Sequence, residues 1–421
     1  MVSTAGKEQL RRQIDFLPLS QRLERLRRRY FEERPRVDAQ RLKFAMQSWK
    51  ETEGQPIEVR CAKKLKAILE GIPTIIHDGD LMAGSQSRFL RGCAPYVDWN
   101  GVYFDKVVEG RQVTFGGPAH TGTVSDEDYE ICKNAAAYYR GWSPAEAAQE
   151  VARMVYGEWY DDAMAARTLP LPYEQQPYLM GVAMWDKALA KGMKGIIAEV
   201  EEAEAQFHLS NDSDPEKLFF WQAVNTSCSA IVTLAHRYAQ RARESMATEQ
   251  DDDRRKQLER IAEACDWVPE NPARNLFEAV QALRLVHMAL LMENGRNSAH
   301  VGRIDQLLDP WFRKDVEDGS LTVEEASEIV GDFITYLARL EQIKDFRGRE
   351  SNQSTQITHL TLGGTDKDGN DASNEVTYLI LHLLGLLKYA EPHATVRLHE
   401  GTPSWLLMKS LETNQKVNGI P

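Results

Sequence analysis

The stretch His300-Val-Gly-Arg-Ile-Asp-Gln-Leu-Leu-Asp-Pro-Trp311 constrains the fold more than any other, because it joins two long helical patterns through a charged segment. Before it, from Pro272 on, Leu276, Phe277, Val280, Leu283, Val286, Leu290 and Leu291 recur mostly at three- and four-residue steps, the helical period. Asn271 suits the N-cap, Pro272 the first turn and Gly295 the stop. After it, a second helical pattern begins beyond Gly319. In between, Gly302-Arg303 and Asp305-Gln306 put charge and amide groups where the chain has to re-enter a core. Buried polar groups need partners, so the segment is either a hydrogen-bonded hinge or a pocket wall.

The rest of the chain reads mainly as helix. Residues 1–30 are basic and helical in pattern, and Arg22-Leu-Glu-Arg-Leu-Arg-Arg-Arg29 reads as a solvated helix face. Helices are expected at Asp38–Lys50 and Glu58–Glu70, then two short strands at Thr74–Ile76 and Leu81–Ala83 around the turn His77-Asp-Gly-Asp80. Arg88–Trp99 is irregular. Ser125-Asp-Glu-Asp128 and Ser143-Pro-Ala-Glu146 open helices. Prolines at 170, 172 and 177 keep Leu169–Pro177 out of a helix. Trp185–Glu202, most of Asp214–Met292 and Leu321–Lys344 (Thr322 as N-cap) are helical. Gln356-Ile-Thr-His-Leu-Thr-Leu362 alternates, is rich in β-branched residues and stops at Gly363-Gly364, which marks a strand. Ala394–Leu398 is a second, and Thr402-Pro-Ser-Trp405 starts a last helix.

Composition excludes several classes. A net charge of −12, spread along the 421 residues, disfavours nucleic acid as a main partner. The cysteines at 61, 93, 132, 228 and 265 are odd in number and lack C-x-x-C spacing, so neither a zinc site nor a disulfide framework is indicated and no metal is expected. Cys132 and Cys228 fall on apolar helical faces as small core residues. No window reaches the roughly 18 apolar residues of a membrane span, since Val376–Leu387 is too short and contains His382. The N-terminus lacks the apolar run of a signal peptide. A reduced, cytoplasmic setting without membrane contact is expected.

Gly363-Gly364 with Asp368-Gly369 lacks both glycine-rich nucleotide-binding patterns, which leaves a strand-end turn. His359 shares a strand face with Ile357 and Thr361. It is either a hydrogen-bonded core histidine or part of a pocket wall.

Four ordered stretches carry a resemblance. They are Glu51–Arg60 followed by Ala62–Pro73, Gly302–Gln306 with Pro310-Trp311-Phe312 and Asp315–Gly319, Leu362–Gly369 with Asp371–Glu375, and Asn418-Gly-Ile-Pro421. Together they resemble the glycyl radical enzymes of the pyruvate formate-lyase superfamily, over nearly the whole chain.

The resemblance implies a helix-rich α/β fold, a ten-stranded barrel made of two five-stranded halves enclosed by helices. This chain then corresponds to one N-terminal domain, 1–421, incomplete at its C-terminus. It comprises a helical layer over about 1–350 and half-barrel strands mainly from 74–84 and 356–398. The family's radical cysteine loop is expected after Pro421 and its glycyl motif, Arg-Val-x-Gly-Tyr, is absent, so no catalytic residue is assigned here and the chain alone is expected to be inactive.

The resemblance also implies a small organic substrate and a homodimer at full length. The chain itself is expected to bind no cofactor. A separate S-adenosylmethionine iron–sulfur activating enzyme would install the glycyl radical anaerobically. Residues two to four places before the Gly-Arg pair line the substrate pocket in such enzymes, which points to Ser298 and His300. Tyr178, Met180 and Trp185 match a wall that carries no Arg, His or Asp between Tyr173 and Trp185, so it suits an uncharged aromatic or alkyl group or is a plain packing ridge.

Ser298-Ala299, where polyol-acting members carry His-Ser, argues against a glycerol dehydratase. Arg88–Pro95 favours an arylacetate-type decarboxylase. Lys66–Pro73 and Cys265–Arg274 favour a fumarate-adding benzylsuccinate-type synthase, with a dehydratase or another C–C lyase after it. The non-enzyme alternative is an inactive binding or assembly subunit.

Overall fold

A computed structural model describes residues 4–96, 98, 112–114, 121–166, 182–208, 214–294, 300–341, 358–417 and 419–421. Helices α1 (Thr4–Asp15) and α2 (Gln21–Glu32) flank a break at Pro18. The Ser20 hydroxyl accepts from the Leu23 amide and starts α2, whose Leu23, Leu26 and Tyr30 face inward at helical spacing. The basic run here is not wholly a solvated face. Arg22 is buried, its Nη1 2.9 Å from Asp332 Oδ1, because its stem lies on the inward side of the helix.

Helices α3 (Gln40–Glu51) and α4 (Ile57–Gly71) follow and pack on each other. Then come α5 (Asp126–Tyr139), α6 (Pro144–Tyr156), α7 (Glu158–Ala165) and α8 (Trp185–Ala205). Ser125 caps α5 by accepting from the Asp128 amide, whereas Ser143 donates to Glu146 at 2.5 Å and caps no amide of α6.

The long helical region resolves into α9 (Glu216–Thr248), α10 (Asp252–Trp267) and α11 (Leu276–Asn294). Helix α11 begins later than its pattern suggests. Asn271 bonds the Trp267 carbonyl, and Asn275 Oδ1 takes the cap by accepting from the Glu278 amide. By length and composition alone α9 could cross a membrane, where no such window was expected. Its Cys228, Ile231, Leu234, Ala235, Tyr238 and Ala242 are buried, and it packs on α4 and α10 as a core helix does.

Helices α12 (Ile304–Glu317), α13 (Val323–Ala338), α14 (Glu375–Leu387) and α15 (Ser404–Val417) complete the layer. Thr322 with Glu325 and Asn374 with Thr377 form reciprocal caps on α13 and α14. Helix α13 ends at Ala338, short of the expected Lys344, and Leu340 instead makes a parallel bridge to Gly92. Helix α14 is buried on nearly every face, which its almost continuous apolar sequence allows, and α13 is buried likewise from Ile329 on.

Two sheets are described. In the first, β1 (Arg36–Val37) lies between β2 (Gly92–Cys93) and β4 (Thr121–Thr123), parallel to both, and β3 (Gln112–Thr114) pairs antiparallel with β4. In the second, β5 (His359–Gly363) pairs parallel with β6 (His393–Arg397) over five residue pairs, with α14 as the crossover. A parallel bridge Gly302↔Leu360 sets the segment at 300–302 beside β5, and Val182↔His300 sets Val182 beside that segment.

The strands expected at Thr74–Ile76 and Leu81–Ala83 do not form. That segment is irregular, and side chains rather than a neighbouring strand satisfy its backbone. Leu81 N–H donates to Asp332, and Ala83 exchanges both its bonds with the Gln281 amide. Arg284 Nε donates to the Gly84 carbonyl. Of the strands expected in 74–84 and 356–398, only those in the second range form.

Candidate functional site

Alternation along β5 and β6 separates two faces. Leu360, Leu362 and Ala394 are buried against the helices, while His359, Thr361, His393, Thr395 and Arg397 lie on the other side, half-buried or exposed. The register sets His359 beside His393, Thr361 beside Thr395 and Gly363 beside Arg397. His359 Nε2 is 2.6 Å from the Thr395 hydroxyl. A sheet face made of imidazole, hydroxyl and guanidinium groups does not form an apolar core, so it suits a ligand wall.

His300 joins this face from the neighbouring segment. Its Nδ1 accepts from the His359 backbone N–H at 3.2 Å, and the two rings stand nearly perpendicular with centroids 6.1 Å apart. With Nδ1 an acceptor, the hydrogen bonding assigns the proton of neutral His300 to Nε2. Burial, and then His359, lower the pKa of His300. Burial and His393 do the same for His359, and burial alone for His393. At neutral pH the three imidazoles therefore act as neutral donors and acceptors.

Trp185 is buried behind His300 and donates its Nε1–H to the His300 carbonyl at 3.2 Å. It supports the wall from behind. Gly302 makes the arrangement possible, because its φ is +69° and a Cβ there would come within 2.6 Å of Val182 Cγ1.

The Gly302–Gln306 stretch is a hydrogen-bonded clamp. Asp305 Oδ2 accepts from the Gly363 amide and the Thr377 hydroxyl, both at 2.7 Å, and Oδ1 from the Gln306 amide. Arg303 donates to the Gly363 and Thr365 carbonyls, and Gln306 also reaches Gly363. Asp305 is fully buried, and burial raises its pKa to about 6 against the lowering effect of these donors. The clamp fixes where β5 ends and α14 begins.

Of the seven residues expected to line a pocket, Trp185, His300 and His359 converge here. Tyr178, Met180, Ser298 and Ile357 lie outside the described residues. His393, Thr395 and Arg397 were missed. Their signal was present in His393-Ala-Thr-Val-Arg397, whose alternation repeats that of β5 one strand away.

None of the five cysteines lies on this sheet. Burial raises the thiol pKa of Cys61, takes Cys228 up to about 11, and holds Cys132 and Cys265 higher still. Among the described residues, no group of three or more His, Cys, Asp or Glu side chains is placed to hold a metal.

Residues 17–421 match the family described as pyruvate formate lyase-like. The isethionate sulfite-lyase of Oleidesulfovibrio alaskensis is 31% identical over 92% of this chain and 48% of its own length. The indoleacetate decarboxylase of Tractidigestivibacter scatoligenes is 24% identical over 97% of this chain and 49% of its own length. The solved structure concerned with 1,2-propanediol dehydration in Roseburia inulinivorans superimposes with a TM-score of 0.89 at 28% identity, covering 96% of this chain and 48% of that one. The chain thus spans about half the length of the curated relatives it matches.

Proposed function

Because the chain belongs to the pyruvate formate lyase-like family, we propose that it is the substrate-facing half of a glycyl radical lyase acting on a small organic molecule. The family match, unbroken from residue 17 to residue 421, carries this reading. The polar sheet face with His300 and His359 is the substrate wall, backed by Trp185. Tyr178, Met180, Ser298 and Ile357 belong to the same wall. The 421 residues form one N-terminal domain of the family barrel. The thiyl-forming cysteine and the radical-storing glycine come from sequence this chain does not carry. Alone it is inactive; at full length it is a cytoplasmic homodimer activated by an S-adenosylmethionine iron–sulfur enzyme.

The leading reading of the reaction is arylacetate-type decarboxylation, supported by Arg88–Pro95 and by the absence of Arg, His and Asp between Tyr173 and Trp185. The likeness to an indoleacetate decarboxylase agrees with it. A second reading, lysis of a C–S or C–O bond, is favoured by the greater identity to the isethionate sulfite-lyase.

Anaerobic co-expression with a segment bearing the cysteine loop and Arg-Val-x-Gly-Tyr, plus an activating enzyme, tests both. Release of CO2 from phenylacetate or indoleacetate supports the first, and release of sulfite or water from isethionate or propane-1,2-diol supports the second. A glycyl radical seen by electron paramagnetic resonance, with no product from any of these, would sink the lyase assignment for these substrate classes.

A further inference from the structure

The open sheet face is unevenly supplied with hydrogen-bonding groups. His300 Nε2–H, the His359 and His393 rings, two threonine hydroxyls and the Arg397 guanidinium can all donate. The carboxylate beside them, Glu391, is buried and lies 3.7 Å from His393 Nε2. Arg303, the other guanidinium at the end of β5, is committed to the Gly363 and Thr365 carbonyls. Arg397 is exposed and, among the described residues, has neither an ion pair nor a hydrogen-bond partner for its side chain.

The turn that follows β5 lies against it. Arg397 faces Gly363 in register, and its side chain runs over Gly364, where an added Cβ would sit 3.0 Å from Arg397 Cβ and 3.5 Å from its Nε. Both glycines have positive φ, +65° and +83°, and the lack of a Cβ at Gly364 lets the Arg397 side chain lie directly on the turn that ends β5. An exposed guanidinium with free donors, on the same face as a row of threonine and histidine, matches an oxyacid anion. Its planar fork pairs with two oxygens at once.

We propose that Arg397 anchors the anionic head of the substrate, a carboxylate or a sulfonate, on the open face of the sheet, with Thr395 and His359 beside it. This rests on reading that face as the substrate wall. It adds the residue that holds the anionic head shared by the arylacetate and isethionate readings. The rest of the ligand then extends along β5 and β6 toward His300.

Isothermal titration of the chain with phenylacetate, isethionate and propane-1,2-diol tests the anchor without turnover. At least one anion is expected to bind, and Arg397→Gln to weaken it tenfold or more. Arg397→Lys should retain part of the affinity, and the diol should be unaffected by either change. Binding of the carboxylate alone, or the sulfonate alone, identifies which head group the site takes. Arg397 is exposed and unpaired, so both variants should melt within about 2 °C of the parent.

The proposal is overturned if neither anion binds, if affinity is unchanged in Arg397→Gln, or if the diol binds as tightly as the anions. Failure of the lyase assay would leave a measured anion site standing. An anion that ignores Arg397 would remove the anchor and leave the lyase assignment untouched.

Discussion

At the scale of single residues, the strongest electrostatic effects lie away from the sheet face. His77 is buried beside Arg339 and Arg284, and burial first, then those cations, push its pKa down to about 4 despite the nearby Asp80. A folded-state pKa below the unfolded value means that the folded protein excludes a proton the unfolded chain binds. Stability from this group is therefore intact above about 6.5 and declines as pH falls toward 4. Between pH 7 and 4.5 the parent should lose about 2 kcal/mol more than His77→Gln in urea unfolding. Equal losses in the two proteins would show that the ring is not held neutral. Asp305 has the opposite sense, a pKa raised chiefly by burial, and it shows how a motif legible in sequence can hold structure rather than substrate.

Single elements depend on local exceptions to regular geometry. Helix α8 turns sharply at Gly192, where φ is +67° and ψ 173°, and the Met193 and Lys194 amides donate to the Pro269 and Glu270 carbonyls. A Cβ at Gly192 would lie 2.3 Å from the Glu270 carbonyl oxygen, with backbone on every near contact. Gly192→Ala is therefore expected to destabilise by at least about 2 kcal/mol, from left-handed strain together with a backbone clash. Equilibrium denaturation measures this, and a loss under 0.5 kcal/mol would mean that α8 can straighten without cost. The caps at Ser125 and Thr322, by contrast, were readable from a few residues, because a cap needs only neighbours in sequence.

Over the whole molecule, a buried ion network joins distant parts of the chain. Arg284 on α11 contacts Asp332 on α13 at 2.8 Å and Asp80 at 3.1 Å, and donates to the Gly84 carbonyl. Asp332 also holds Arg22 of α2, and Asp80 holds Arg339 at 2.5 Å. Arg284→Met takes one of two cations from each buried carboxylate, leaving Asp332 with Arg22 and Asp80 with Arg339, and should cost about 2–3 kcal/mol, the scale of a lost charge-assisted hydrogen bond in a buried site. A denaturation midpoint close to the parent's would show that the network is hydrated rather than sealed.

This network also explains why the sequence alone misplaced two strands. Local composition at 74–84 resembles strand–turn–strand, but the partners of its backbone are Asp332, Gln281 and Arg284, some two hundred or more residues away.

By itself the sequence determined most of the helices, the caps at Ser125 and Thr322, β5 and β6, the family, and the importance of the Gly302–Gln306 stretch. Each of these is encoded in local period, turn chemistry or a contiguous motif. Tertiary structure alone decided that Gly302–Gln306 clamps β5, that Trp185 backs His300, and that His393, Thr395 and Arg397 share a face with His359. Those outcomes depend on strand register and on side chains that meet only after the chain has crossed α14, and no local pattern specifies such meetings.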